Sequence, residues 1–123
     1  MKITIPFTLP GMNELIDANR NSRYKGAGLK KYWQHRVEMV IKRKARPLRE
    51  PVTITWVWIE KDRRRDPDNV TAGGKKIILD ALVHVGYLRN DGWGNIQPPM
   101  TDGWKVDKNH PRVELYIEEA GDE

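Results

Sequence analysis

The chain contains no cysteine. That absence excludes disulfides, thiolate-bound zinc and a cysteine nucleophile together, so any chemical site must be built from oxygen and nitrogen groups. Phenylalanine occurs once, and hydrophobic residues fill only 38% of the 123 positions. Five Trp and four Tyr offset the shortage by carrying large apolar surfaces in few residues, which favours a folded domain over a disordered chain. No run approaches the roughly 18 apolar residues of a membrane span, and Met1-Lys2-Ile3-Thr4-Ile5-Pro6 lacks the apolar core of a signal peptide. The expectation is a soluble cytoplasmic protein with no membrane partner. Internal repeats and low-complexity tracts are also lacking.

Acids are the minority charge. With 22 Lys and Arg against 17 Asp and Glu, the net charge is +5. A positive excess on the solvent surface suits a polyanionic partner, nucleic acid first. The length fits a single domain over residues 1–123 with one modest core.

Taken in order, residues 2–7 alternate with Ile3, Ile5 and Phe7 on one side and predict a strand, which Pro6 assigns to a sheet edge. Residues 11–28 are rich in turn formers and predict a long loop. Arg20, Arg23, Tyr24 and Lys25 make that loop either a DNA-contacting arm or a solvated connection. Residues 29–45 predict a helix with Trp33, Val37, Val40 and Ile41 as its apolar stripe. Its other faces carry Lys30, Lys31, Arg36, Lys42, Arg43 and Lys44, with His35 as a surface histidine.

Residues 52–59, almost all β-branched or aromatic, give the strongest strand signal. A second helix is expected from about Lys75 to Val85, where Ile78, Ala81, Leu82 and Val85 recur at helical spacing and Gly86 follows as a C-terminal glycine. Two last strands, near 101–108 and 112–119, are expected to form a hairpin with Asn109-His110-Pro111 at its turn, and Gly121-Asp122-Glu123 to fray. The pattern predicts an α+β (mixed α/β) fold: one small domain with a mixed sheet of about four to five strands packed with two main helices.

The densest chemistry lies in Asp62-Arg63-Arg64-Arg65-Asp66-Pro67-Asp68-Asn69. Two carboxylates one residue apart raise the cost of ionising each other. A divalent cation removes that cost, and magnesium or manganese is commonly held by one or two carboxylates together with substrate phosphates. Arg63, Arg64 and Arg65 suit the phosphates. Asp91, on the turn-rich segment after the second helix, is a third candidate ligand, and Lys75 or Lys76 can add a point charge. Phosphodiester hydrolysis is the reaction class such a set serves.

Plainer readings stand beside it. Asp66 and Asp68 could cap a helix, although Gly73-Gly74 would then lie between the cap and the helix proper. Lys76 and Asp80 could form an i,i+4 surface pair. A calcium loop fails on spacing, since Thr71 stands where the EF-hand needs glycine.

The motifs Arg-Arg-Arg-Asp-Pro-Asp-Asn, Lys76-x-x-x-Asp80-Ala81-Leu82 and Asn90-Asp91, with Leu9-Pro10-Gly11-Met12-Asn13 before them, resemble the RusA family of Holliday junction resolvases. The resemblance covers most of the chain and is most specific in its middle third. It implies a homodimer that cuts four-way branched DNA in a Mg2+- or Mn2+-dependent reaction, with Asp66, Asp68 and Asp91 as catalytic metal ligands and no organic cofactor. The essential lysine would be Lys76. The spacing from Asp68 to Asp80 is longer here than in other members, and a forward count from Asp68 lands on Ala72, so Lys75 stays open. The DNA backbone would be held by Arg63, Arg64, Arg65, Lys75, Arg20, Arg23, Lys30 and Lys31. A homodimer suits a roughly two-fold junction that needs paired cuts. The alternative is a basic protein that binds branched DNA without cutting it.

Overall fold

A computed structural model describes residues 1–98 and 100–121, apart from the side chain of Arg23. The chain is an α+β domain built on one mixed four-stranded sheet. In chain order the elements are β1 (Lys2–Ile5), α1 (Met12–Asn21), α2 (Arg23–Ile41) with a short 3₁₀ turn over Lys42–Lys44, β2 (Thr53–Glu60), α3 (Pro67–His84), β3 (Thr101–Val106) and β4 (Arg112–Glu118). The strand order is β1-β4-β2-β3. As Pro6 predicted, β1 is an edge strand.

The centre belongs to β2. Ile54, Trp56 and Trp58 bury one face of it, and the two indoles stack with centroids 5.4 Å apart and planes 5° from parallel. Fully burying a side chain of this kind contributes about 1.5–3 kcal/mol. Ile77, Ile78 and Leu82 of α3, Val37 of α2, Ile5 of β1 and Leu115 of β4 complete the same core.

Both edges of β2 are paired, antiparallel to β4 and parallel to β3. That overturns the expected β3–β4 hairpin. The run β2–α3–β3 is long enough to return the chain parallel to its start, as a crossover requires, so β3 takes one edge of β2 and leaves the other to β4. The link 107–111 passes the end of β2. Crossing two strand spacings needs about 10 Å, and five residues reach roughly 16 Å. Asp107 fastens this link by accepting the amides of Asn109 and His110 and an Arg112 N–H.

Two further expectations are corrected. The loop predicted over 11–28 is mostly helix: α1 and the start of α2 meet at Ser22, whose hydroxyl caps α2 by accepting the Lys25 amide at 3.1 Å. Turn-forming composition misled here because α1 is an exposed helix that buries only Leu15, so its sequence has almost no apolar stripe to read. The helix predicted from about Lys75 instead begins at Pro67, which occupies the first helical position, where its fixed φ and missing N–H are harmless.

Gly73 and Gly74 therefore lie inside α3, and both are buried. Tertiary contact explains them. A Cβ on Gly73 would stand 2.4 Å from the Pro10 carbonyl oxygen, and one on Gly74 would stand 2.4 Å from the Trp58 ring. The helix is thus held between the Leu9–Asn13 segment and the sheet. Asn69 completes that contact, because its Oδ1 accepts the Asn13 amide at 2.7 Å and so satisfies a free N–H at the start of α1.

At the far end, Gly86 has φ +96, Gly86 N–H donates to Val83 O and Tyr87 N–H to Leu82 O. This double bond pattern ends a helix with a left-handed glycine. Of the expected α2 stripe, Val37 and Ile41 are buried, Trp33 is half-buried and Val40 lies at the surface. His35 is exposed, as expected. Asp122 and Glu123, expected to fray, lie outside the described residues. Among the described residues no helix is long and apolar enough to cross a membrane.

Candidate active site and nucleic-acid interface

The arginine run divides into three different environments. Arg65 is tied into the protein: its Nε and Nη2 donate to the two Glu60 carboxylate oxygens at 2.8 and 3.0 Å, and its Nη1 donates to Leu9 O at 2.7 Å and Glu14 Oε1 at 3.0 Å. Burial works against its charge, but the fork-to-fork bonds with Glu60, then those with Glu14, outweigh burial and raise its pKa. Arg64 faces Asp62 at 3.6 Å, and the Asp62 carboxylate also accepts the Arg64 amide. Arg63 is exposed with no hydrogen-bond or ion-pair partner among the described residues. A predicted phosphate clamp of three arginines thus contains one cation already committed to folding and one that is free.

Asp66 is the residue before α3, and Asp68 lies in its first turn. Asp66 stands at the capping position, but its side chain makes no cap hydrogen bond. Both carboxylates are exposed, and neither has a partner among the described residues. Asp66 and Pro67 line a cavity of about 310 Å³ together with Glu60, Arg63 and Arg65 and with Trp104 and Val106 of β3.

Asp91 lines a different cavity of about 320 Å³, with Leu79, Ile96 and Met100. Leu79 lies three turns beyond Asp68, about 16 Å along the axis of α3. Among the described residues no three His, Cys, Asp or Glu side chains come together in a group that could hold a metal. Asp66 and Asp68 thus share the start of α3, and Asp91 lies in separate surroundings. The Asp91 carboxylate is also exposed and without a partner, while its amide donates to Asn90 Oδ1 at 2.8 Å.

The lysines separate as sharply. Lys75 Nζ donates to Asp102 Oδ2 at 2.7 Å, and Trp58 Nε1 donates to the other oxygen of the same carboxylate at 2.8 Å. The Lys75 ammonium also lies 5.8 Å from the Trp56 ring centroid. Lys76 is exposed and unpaired among the described residues. The expected Lys76–Asp80 pair does not form, because Asp80 takes Lys30 from α2 instead. Lys31 and Arg20 are exposed and unpaired among the described residues. The side chain of Arg23 lies outside the described residues.

Reading residues in isolation missed Asp102, Glu60 and Trp104. Asp102 was visible only as a polar position in a strand, and nothing in its neighbours announces that β3 would bring it to Lys75. Glu60 had one weak signal, an acid at the end of the most apolar strand, where it is costly without a cation beside it.

Carboxylates without a partner stand out in so basic a chain. Among the described residues they are Asp17, Asp66, Asp68, Asp91 and Glu118, and all of them are exposed. By contrast, Glu119 is buried, accepts two Arg46 N–H bonds at 2.8 and 2.7 Å and the Arg49 amide at 2.9 Å, and its carboxyl is lowered to about 2, chiefly by Arg46. Glu114 is pushed up by burial but ends below its ordinary value because Arg112, Tyr116 and Lys2 outweigh that effect. No protein-family model matches the chain, and no curated protein matches it.

Proposed function

We propose that the protein is a metal-dependent, structure-selective endodeoxyribonuclease that acts on four-way DNA junctions as a homodimer, in the manner of the RusA resolvases it resembles. The observation that carries this reading is the pair Asp66 and Asp68: two exposed carboxylates without partners, one residue apart at the start of a helix, in a protein of net charge +5. Cations to neutralise them are plentiful, yet the fold leaves them open. Such a pair fits a hard divalent ion that keeps several waters and takes its remaining oxygens from a phosphate. When bound, magnesium would lower the pKa of a water and offset charge on the attacked phosphate.

The chain's own residues would do the rest. Asp66 and Asp68 would hold the ion, while Asp91, which lies in separate surroundings, is left without a part in that pair's site. Arg63, Lys31 and Arg20 neutralise the DNA backbone, each neutralised phosphate adding a slope of about −0.9 to the log–log dependence of affinity on salt. Lys76, free of Asp80, is the cation available to the reacting phosphate, whereas Lys75 is held by Asp102. A two-fold dimer would present two such sites to opposing strands of a junction.

A second reading, a DNA-binding protein without catalysis, draws support from the separate surroundings of Asp91 and Asp66. Incubating the protein with a synthetic four-way junction and a linear duplex of matched sequence, with and without magnesium, distinguishes the two. Paired nicks in the junction alone, only with the metal and lost in Asp68→Asn, support the nuclease. Binding without products under any divalent ion supports the other reading.

A further inference from the structure

The turn that carries Asp91 also carries Trp93, and the two differ in what the fold does with them. The backbone of this turn is pinned. Asn95 and Ile96 amides both donate to Gly92 O at 3.0 Å, Asn95 Nδ2 donates to Glu50 Oε1 at 3.0 Å, and Val52 N–H and O bond Asn95 O and Gln97 N–H at 2.9 and 2.8 Å. At the apex of this anchored turn the Trp93 side chain is 93% exposed and has no ring or cation partner among the described residues. Leaving a large indole in water forfeits the stabilisation that burying it would give, and the other four tryptophans are at least half covered or fully buried.

Trp93 itself lines the cavity of about 320 Å³, together with Asp91, Leu79, Ile96, Pro98 and Met100. Its lining is almost wholly apolar, Asp91 being its one charged member. Lys76, exposed and without a partner among the described residues, is one turn before Leu79 on α3, whereas Arg89, two residues before Asp91, faces Glu50 at 3.9 Å. An exposed aromatic side chain at an apolar hollow, with the Lys76 cation one helical turn from Leu79, matches a ligand that is flat and apolar at one end and anionic at the other.

We infer that Trp93 stacks on a nucleobase exposed at a DNA branch point and that the cavity it lines receives that base. This rests on the proposed function for its choice of DNA as partner. In a linear duplex both faces of every internal base are already stacked, so Trp93 gains a partner only where stacking is interrupted. Trp93 is a substrate-selecting residue: it favours branched over linear DNA and sets the nucleotide next to Asp91. Asp91 lines the same cavity as Trp93, so a base received there lies close to the Asp91 carboxylate.

The test measures binding in EDTA, so that cleavage plays no part. A four-way junction with 2-aminopurine at the branch point and a linear duplex of matched sequence are titrated with wild type, Trp93→Ala and Trp93→Phe. Stacking on an aromatic side chain accounts for roughly 5- to 150-fold in affinity. The expected result is a loss of that order for Trp93→Ala on the junction, little change on the duplex, quenching of 2-aminopurine by wild type but not by Trp93→Ala, and retention of most affinity by Trp93→Phe. Because the side chain is exposed, thermal melting should be the same for all three. Wild-type binding that Trp93→Ala leaves unchanged, or weakens equally on both DNAs, overturns this inference alone. Conversion of a dimer to a monomer by Trp93→Ala, seen by sedimentation without any change in quenching, assigns the residue to a second copy of the chain and also overturns it. Failure of the wild type to bind either DNA overturns the proposed function together with the inference.

Discussion

Arg65→Ala should unfold the protein more easily while barely affecting DNA contacts, and Arg63→Ala should do the reverse. Arg65 makes four hydrogen bonds that join the end of β2, the segment before α1 and α1 itself. Its side chain is 25% exposed and that of Glu60 15% exposed, so truncation strands a mostly buried carboxylate. Breaking a fully buried pair costs about 3–5 kcal/mol, and hydrogen bonds to charged groups contribute about 1.5–3 kcal/mol each without adding fully. Water reaches part of this site, which lowers the expectation to about 2–4 kcal/mol. With a urea m-value of roughly 1.5–2 kcal/mol/M, the unfolding midpoint should fall by about 1–2.5 M, with the slope unchanged. Arg63, exposed and unpaired among the described residues, should shift stability by no more than about 0.5 kcal/mol, yet its loss should weaken DNA binding and reduce the salt slope by about 0.9. Urea titration followed by Trp fluorescence, paired with DNA binding at several salt concentrations, reads both. An Arg65→Ala midpoint equal to wild type, with a binding loss like that of Arg63→Ala, would refute the division between the two arginines.

Two further perturbations probe the fold. Gly73→Ala brings a Cβ to 2.4 Å from the Pro10 carbonyl oxygen, and overpacking of about 1–3 kcal/mol should exceed the helix propensity gained. Gly28→Ala in α2, where nothing lies within 4 Å of the new Cβ, should instead stabilise by about 0.5–1 kcal/mol, so thermal melting of the two variants should move in opposite directions. Glu119 gives a pH dependence. Its folded pKa, about 2, lies below its ordinary 4.5, so its contribution is complete above about pH 4.5 and is lost as pH falls through about 2. Acid unfolding of Glu119→Gln should be flatter over that window than that of wild type.

Legibility in the sequence followed where the deciding forces act. The apolar run Val52 to Ile59 and the spacing of Ile78, Ala81 and Leu82 announce burial directly, and β2 and the C-terminal half of α3 lie where they predict. Local composition failed where a distant contact decides. Gly73 and Gly74 look like a break before a helix, but they are the close-approach face of that helix against Pro10 and Trp58. The β3–β4 pairing failed for a related reason: adjacency in sequence favours a hairpin, whereas β2 has two edges to satisfy.

At the candidate site, Asp66 and Asp68, exposed and without partners among the described residues, lie at the start of α3 rather than on a loop before it. The separate duties of Arg63 and Arg65 do not show in a run of identical residues. Nor do the pairing of Lys75 with Asp102 and of Asp80 with Lys30, since each joins residues from different elements.

The central claim is that Asp66 and Asp68 are left open for a catalytic metal, and cleavage of a four-way junction by Asp68→Asn in magnesium addresses it most directly. This variant should bind the junction about as well as wild type and yield no paired nicks. Cleavage by Asp68→Asn at the wild-type rate would contradict it.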